Sequence, residues 1–264
     1  MESLQHGRAR LANRLIVAAA ALAAVAILAI VARGCAQAAG QADTAYFVER
    51  VGDTNAVALM AASEDAWHTA NTVSWGERDA TTTFRALATE DALVVRFDVS
   101  DRDAWSTLTR RDQRLWTEEV VEIFMARPGD GGDYVELQIN PANAVADLRV
   151  DPARRRFDDA WDFAGLQTRV RASRDEAGTA TGWCAVARLP WGGFERNQAA
   201  SGAVEAARVA NAPRAGEQWR FNVFRIERPG GPAHPEADAL FLAWSPTPSH
   251  SFHSPEAFRD FVFR

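Results

Sequence analysis

Two hydrophobic patterns divide the chain. Residues 15–32 are all apolar and uncharged, and a helix of that length is about 27 Å long, close to the thickness of a bilayer core. From residue 41 onward, apolar and polar residues alternate with a period of two, and a helical pattern recurs only near 197–210. The chain is therefore predicted to carry an N-terminal apolar export or anchor helix followed by a β-rich domain.

The alternating segments predict the strands of this domain. Leu93, Val95, Phe97 and Val99 share one face because successive side chains of a strand point to opposite sides. Turns rich in glycine and proline separate the segments. Such a series favours an all-β fold, an antiparallel β-sandwich. The predicted strands are 82–89, 93–99, 119–125, 134–140, 146–150, 166–173, 182–189, 219–227 and 239–245.

Several large side chains in these apolar segments are predicted to fill the core. Cys184 lies in one such segment and is predicted to be a buried, inert thiol. Cys35 is the only other cysteine, so the chain cannot build a disulfide framework. The tryptophans expected in the core are Trp67, Trp183, Trp219 and Trp244.

The first forty residues have the layout of an export segment. Arginines flank the apolar run of 15–32, and a basic flank stays in the cytoplasm. The remainder is therefore expected outside the cytoplasm, in the periplasm or at the cell surface. Three fates of the segment 1–40 are left open: cleavage at Ala38, lipidation at Cys35, or retention as a membrane anchor.

Charge narrows the range of partners. The formal net charge is −6, and four of the arginines belong to the export segment, so residues 41–264 are more acidic still. An acidic domain does not bind nucleic acid through phosphate neutralisation. The membrane is expected to be a partner through the N-terminal segment only.

A polar stripe in one predicted strand suggests a binding face. Tyr134, Glu136, Gln138 and Asn140 share the face opposite to the apolar one. Amides and a carboxylate beside aromatic rings suit a sugar, because hydroxyls exchange hydrogen bonds and the C–H face of a pyranose packs on a ring. A solvated sheet face would show the same stripe, so the pattern alone leaves both interpretations open.

Several sequence blocks follow one another in a fixed order along the chain. The block LWTEEVVEIFMARPGDGGDYVELQINPAN is similar to the central block of the family 9 carbohydrate-binding modules and their bacterial relatives. Its order and spacing relative to the other blocks extend the resemblance over roughly 60–264. The remaining blocks are Asp65-Ala66-Trp67 with Ala70, 93–105, 182–191, 219–227, 243–247 and 252–258.

The resemblance implies a β-sandwich, spanning residues 41–264, in which two aromatic rings clamp a sugar at a chain end. Trp116 matches the first clamping ring and Glu122 the hydrogen-bonding carboxylate. Gln138 falls where the family has a binding arginine, and Phe252 falls where it has the second tryptophan. His250 falls near a binding asparagine.

The expected function is therefore non-catalytic binding of a mono-, oligo- or polysaccharide end, assisting carbohydrate catabolism. Because three of the five positions differ from the family, the alternative is a structural or interaction module that has lost sugar binding. An enzyme is not expected. Glu119 and Glu122 lie three apart in a strand and point to opposite faces, so they cannot flank one glycosidic bond.

No cofactor is expected to be required. Some relatives hold structural calcium, which makes Asp98, Asp101 and Asp103 candidate ligands in an acidic turn that is otherwise interpreted as solvated. Distantly related sandwich domains hold haem, which leaves haem binding as a further alternative. Its candidate axial ligands are Met60, Met125, His68 and His253, although His253 is rather expected to hold the closing loop.

Overall fold

The computed structural model describes residues 45–52, 55–196, 211–233, 239–248 and 251–264. No helix in these ranges is long and apolar enough to cross a membrane. Several predictions lie outside the described residues and stay predictions. These are the segment 1–40 with its apolar run and the candidate sites Cys35 and Ala38, the helical pattern near 197–210, and His250.

The described residues form thirteen strands, one α-helix and several short 3-10 helices. All nine predicted strands are present with shifts of a few residues, and four further strands, Tyr46–Arg50, Thr72–Trp75, Arg156–Asp158 and Arg259–Phe263, were not predicted. The helix α1 spans Ala56–Ala61. The strands are β1 Tyr46–Arg50, β2 Thr72–Trp75, β3 Thr82–Ala88, β4 Ala92–Ser100, β5 Val120–Ala126, β6 Tyr134–Ile139, β7 Val145–Asp151, β8 Arg156–Asp158, β9 Gln167–Arg174, β10 Ala180–Pro190, β11 Gln218–Glu227, β12 Leu240–Ala243 and β13 Arg259–Phe263.

The strands follow one another in a curled sheet in the order β8-β7-β6-β5-β11-β13-β1-β3-β4-β10-β9. Strand β12 pairs with β11, and β2 pairs with β3. Strand β1 joins the two halves, because Tyr46–Val48 pair with β13 whereas Glu49 and Arg50 pair with β3. The half ending in β8 and the half ending in β9 are thereby linked into one fold.

The hydrophobic core lies between the two halves, which makes the fold a β-sandwich. Phe84 of β3 and Phe97 of β4 belong to the same buried cluster as Ile123 of β5 and Phe221 of β11. Trp183, Trp219 and Trp244 belong to this core, and Trp67 belongs to a second cluster beside α1. The four tryptophans and Cys184 are thus buried as predicted.

The pairings of β1 are the exception to the predicted antiparallel arrangement. Both are parallel, whereas the other pairings are antiparallel. Parallel neighbours need a long crossover connection. Residues 51–81, which include α1 and β2, connect β1 to β3 and allow this pairing.

Strand alternation sets up the candidate site on the face of β5 and β6 that points away from the core. On β5, Val121 and Ile123 pack into the sandwich, so Glu122 must point to the other side. On β6, Leu137 packs into the sandwich, so Glu136 and Gln138 point to the same outer side as Glu122. The polar stripe predicted from the sequence therefore lies on one surface together with Glu122.

Candidate functional site

A cleft of about 450 Å³ opens on the outer face of β5, β6, β7 and β11. Its floor is polar, and aromatic rings surround that floor. Two apolar clusters border it, one containing Phe124 and Phe224 and the other containing Val120 and Ile226. The residues that line the cleft are Trp116, Glu122, Glu136, Gln138, Leu148, Phe157, Asp159, Ile226, Phe241, Ser251, Phe252 and His253.

The pairing register of β5 and β6 places the polar side chains of the floor next to one another. Glu122 lies directly opposite Gln138 across the β5–β6 pair, and Glu136 lies diagonally from Glu122. The Nε2 of Gln138 donates a hydrogen bond of 2.6 Å to Oε1 of Glu136. This bond fixes the amide, so that Oε1 of Gln138 and Oε2 of Glu136 remain buried acceptors without a hydrogen-bond partner.

The two carboxyl groups of the floor perturb each other. Glu122 is only 2% exposed and Glu136 3% exposed. Burial, and then the charge of Glu136, raises the pKa of Glu122 well above its ordinary value. Burial raises the pKa of Glu136 to about 7, which the bond from Gln138 partly opposes. The pair therefore holds at least one proton at neutral pH, because two unpaired charges at these positions would repel each other in a poorly solvated site.

The rim of the cleft is aromatic and open to solvent. Trp116, Phe157 and Phe241 are 44%, 49% and 53% exposed, which is unusual for rings of this size and leaves their surfaces available to a ligand. Trp116 belongs to the 3-10 helix Leu115–Thr117, in which the neighbouring Leu115 is fully buried. Leu115 anchors this turn, so Trp116 is presented outward from a fixed backbone.

Phe252 contributes to the rim from the opposite end of the chain. Its ring stacks on Phe224 with centroids 4.3 Å apart and planes at 20°. It also meets Phe241 edge-on at 6.0 Å. Because Phe224 covers one face of the ring, a ligand has only the other face and the edges of Phe252 to contact.

His253 holds the closing segment against the sheet, as expected. Its Nδ1 lies 2.8 Å from the hydroxyl of Tyr134, and its ring stacks on Phe124 and meets Phe157 edge-on. Burial lowers the pKa of His253, so the ring is neutral near pH 7. The residue therefore shapes one wall of the cleft without adding a positive charge.

Four of the five residues predicted for the site line this one cleft: Trp116, Glu122, Gln138 and Phe252. His250 lies outside the described residues. Prediction missed Glu136 as a site residue although it belongs to the polar stripe. It also missed the rim rings Phe157 and Phe241, because β8 is too short to show alternation and β12 is uniformly apolar.

Asp101 and Asp103 of the acidic turn line one pocket, whereas Asp98 is not among its lining residues. Asp98 accepts hydrogen bonds from Arg96, whereas Asp103 accepts one from the backbone of Gly230. Asp101 lies instead in a buried cluster with Glu119, Glu227 and Arg225. The oxygen ligands of this cluster suit calcium in kind, but the guanidinium of Arg225 already supplies positive charge there, and calcium binding stays a prediction.

Glu119 belongs to that buried cluster and not to the cleft. Burial, and then the charge of Asp101, raises its pKa to about 9. The expectation that Glu119 and Glu122 point to opposite faces is thereby confirmed. The four candidate haem ligands are also scattered, with Met60 in the cluster beside α1, Met125 in the sandwich core, His68 on the surface and His253 in the cleft.

A mostly-β sandwich with a concave, aromatic-rimmed and polar-floored cleft has the form of a small-ligand-binding module. Residues 54–161 match the model of Carbohydrate-binding family 9. The resemblance to family 9 modules that the sequence indicated is therefore confirmed. No curated protein matches the chain.

Solved structures share the fold. A proposed carbohydrate-binding protein from Bacteroides uniformis is 16% identical with a TM-score of 0.63, over 84% of this chain and 99% of that one. A family 9 carbohydrate-binding module from Caldicellulosiruptor kristjanssonii in complex with cellotriose is 14% identical with a TM-score of 0.56, over 84% and 94%. The same kind of module in complex with glucose is also 14% identical, with a TM-score of 0.54 over 84% and 96%.

Proposed function

We propose that this domain binds a carbohydrate in the cleft and does not cleave it. The observation that carries the proposal is the pair of buried, unpartnered acceptors, Oε1 of Gln138 and Oε2 of Glu136, at the floor of an aromatic-rimmed cavity. Leaving a buried polar atom unsatisfied costs roughly 1–3 kcal/mol. A ligand that brings several hydroxyl donors on an otherwise apolar ring would remove that cost.

The structural neighbours support this ligand class. The modules from Caldicellulosiruptor kristjanssonii are seen with cellotriose and with glucose. A cavity of about 450 Å³ has room for one or two sugar rings. We therefore take the ligand to be a monosaccharide or the end of an oligo- or polysaccharide.

Each predicted site residue has a defined task in this proposal. Trp116 offers an exposed indole face on which a pyranose ring stacks, worth about 0.5–1.5 kcal/mol beyond the area buried. Phe252 offers the face that Phe224 leaves free, and Glu122 and Gln138 exchange hydrogen bonds with the hydroxyls. His250 is proposed as a further polar contact.

Catalysis is not part of the proposal, because the two carboxyl groups of the cleft are badly arranged for it. A glycosidase places its carboxyl groups on either side of the scissile bond. Glu122 and Glu136 lie diagonally on neighbouring strands of one sheet face, so both are on the same side of any bound sugar. They form a shared hydrogen-bonding floor instead of an acid–base pair that encloses a bond.

The cellular setting that we propose follows from the N-terminal sequence. The apolar run 15–32 would carry the domain out of the cytoplasm, to the periplasm or cell surface, and tether it to the membrane. A tethered module that binds sugar-chain ends would keep a polysaccharide near the cell during its breakdown.

A calorimetric titration with cellotriose, using matched glutamine variants, tests the proposed function. Gln138→Met keeps the shape of the side chain but removes both hydrogen-bonding groups from the cleft, and affinity is expected to fall about tenfold or more. Gln167→Met makes the same change at an exposed position of β9 and should leave affinity unchanged.

If the wild-type protein shows no heat of binding with cellotriose, glucose or other neutral and amino sugars, the domain is not a sugar-binding module. The structural or interaction module would then be the correct interpretation. If cellotriose binds but Gln138→Met and Gln167→Met behave alike, sugar binding occurs outside this cleft.

A further inference from the structure

The cleft contains a carboxyl group that the protein itself leaves uncompensated. Glu122 is 2% exposed and has no hydrogen bond or ion pair with any other described residue. Among the residues that the structure describes, its only strong electrostatic neighbour is Glu136, which carries the same charge when ionised. An unpaired buried carboxyl group is costly for a fold, and such groups are concentrated at binding sites.

Other buried carboxylates of the described residues are treated differently. Asp133 is paired with Arg196, Asp147 with Arg111, and Asp151 with Arg154. Glu118 has no arginine, but its carboxylate accepts hydrogen bonds from Ser106, Thr107 and the backbone N–H of Leu108. Glu122 differs from these acids because it has neither an arginine nor a hydrogen bond from a described residue.

The described lining of the cleft contains acids but no cation. Glu122, Glu136 and Asp159 contribute three carboxyl groups, no lining residue is an arginine, and the chain contains no lysine. His253, whose Nδ1 lies 3.7 Å from Oε2 of Glu136, has its pKa lowered by burial and is neutral near pH 7. At the position where the resemblance implies a binding arginine, Gln138 contributes an unpartnered acceptor oxygen. The floor therefore offers an excess of hydrogen-bond acceptors.

A ligand that suits this floor must bring more donors than acceptors. A hydroxyl group brings one donor and two acceptor lone pairs, whereas an ammonium group brings three donors and no acceptor. The aromatic rim also favours a cation, because rings such as Trp116 and Phe252 attract positive charge to their faces. The acidic side chains of the floor, its excess of hydrogen-bond acceptors and the aromatic rim therefore all favour an ammonium group on the ligand.

We propose that the sugar bound in this cleft carries a primary amine, as in a 2-amino-2-deoxyhexose at the end of a deacetylated amino-sugar chain, and that its ammonium group lies between Glu122 and Glu136. This inference rests on the proposed function, since it specifies the ligand of the same site. The ammonium donates to Oε2 of Glu136, to Oε1 of Gln138 and to the carboxyl group of Glu122. A charge-assisted hydrogen bond of this kind is about twice as strong as a neutral one.

Protonation of Glu122 and Glu136 makes the preference for an amino sugar depend on pH. The titratable groups that face Glu122 across the cleft are Glu136 on β6, Asp159 after β8 and His253 in the C-terminal segment. Because the pKa values of Glu122 and Glu136 are raised, both are neutral in mildly acidic solution, and Glu136 ionises near pH 7. The ammonium is held by the ionised form, so the preference must weaken as the pH falls.

The test is a titration of the protein with glucosamine, glucose and N-acetylglucosamine, which differ at a single substituent. Glucosamine is expected to bind at least about tenfold more tightly than glucose at about pH 7.5, and this ratio should approach one at about pH 5. N-acetylglucosamine, which is neutral, should not show this increase in affinity over glucose.

Two isosteric glutamine variants test whether the higher affinity for glucosamine arises at the floor of the cleft. Glu136→Gln should lower the ratio of glucosamine to glucose affinity several-fold, because it removes the carboxyl group that ionises near pH 7, whereas Glu176→Gln, in an exposed turn, should leave it unchanged. The midpoint of urea unfolding verifies that each variant is folded. Because the variant removes a buried acidic group without changing its shape, Glu136→Gln should fold at least as stably as the wild type.

The outcomes separate the two proposals. Equal affinity for glucose and glucosamine, or a ratio that Glu136→Gln does not change, overturns the amine preference and leaves carbohydrate binding intact. Binding of none of the three sugars, nor of cellotriose, overturns both.

Discussion

Replacing Arg225 with methionine is expected to destabilise the domain by about 3–5 kcal/mol. The guanidinium is 1% exposed and donates 2.9 Å to the carbonyl oxygen of Ser100, 3.0 Å to Asp101 and a further bond to Glu227. Methionine occupies a similar volume but leaves these acids, and Glu119 beside them, buried without a cation. Uncompensated buried charge costs far more than the lost hydrogen bonds alone.

Urea unfolding followed by tryptophan fluorescence measures this loss. Arg102→Met is the matched control, because Arg102 forms an exposed pair with Asp79 at 3.8 Å and should change the free energy of unfolding by less than about 1 kcal/mol. A loss for Arg225→Met as small as that of the control would mean that the buried acids are neutral or solvated and that Arg225 does not stabilise the cluster.

Replacing Trp116 with alanine is expected to weaken sugar binding by about thirtyfold or more, while the stability of the fold changes little. Trp116 is 44% exposed at the rim of the cleft, so its removal leaves no internal cavity. Aromatic anchors of this kind commonly contribute 2 kcal/mol or more to binding, here through stacking on the sugar ring.

Isothermal titration with cellotriose gives the affinity, and urea unfolding verifies the fold. Phe47→Ala is the matched control, since Phe47 is a partly exposed ring on β1, outside the cleft, that packs against Arg264 at 4.1 Å. If Trp116→Ala bound cellotriose as tightly as Phe47→Ala does, stacking on Trp116 would not contribute to recognition.

Strand alternation made much of the fold predictable. The segments that became β3 to β7 and β9 to β12 show a period of two or an apolar run because one face of each meets the core. Strands β1 and β13 were missed because their pairing joins distant parts of the chain. No local pattern encodes a contact of that sequence separation.

Several residues that line the cleft could be identified from the sequence, but the electrostatics of the cleft could not. Glu122 and Gln138 could be identified from the sequence, yet their direct opposition depends on the register of the β5–β6 hairpin. Neither the raised pKa of Glu136 nor the lack of a cation beside Glu122 can be inferred from the sequence, because both depend on which side chains the fold brings together. Likewise, Arg225 gives no sequence signal of burial, since its neighbours on β11 alternate as for any strand.

An NMR titration with cellotriose, observing the side-chain N–H signals of tryptophan and glutamine, tests most directly whether this cleft binds sugar. If the cleft binds sugar, the indole signal of Trp116 and the amide signals of Gln138 should shift together and saturate at one ligand concentration, while the indole signals of the buried Trp183 and Trp219 stay in place. Unchanged signals from Trp116 and Gln138 in the presence of bound cellotriose would contradict it.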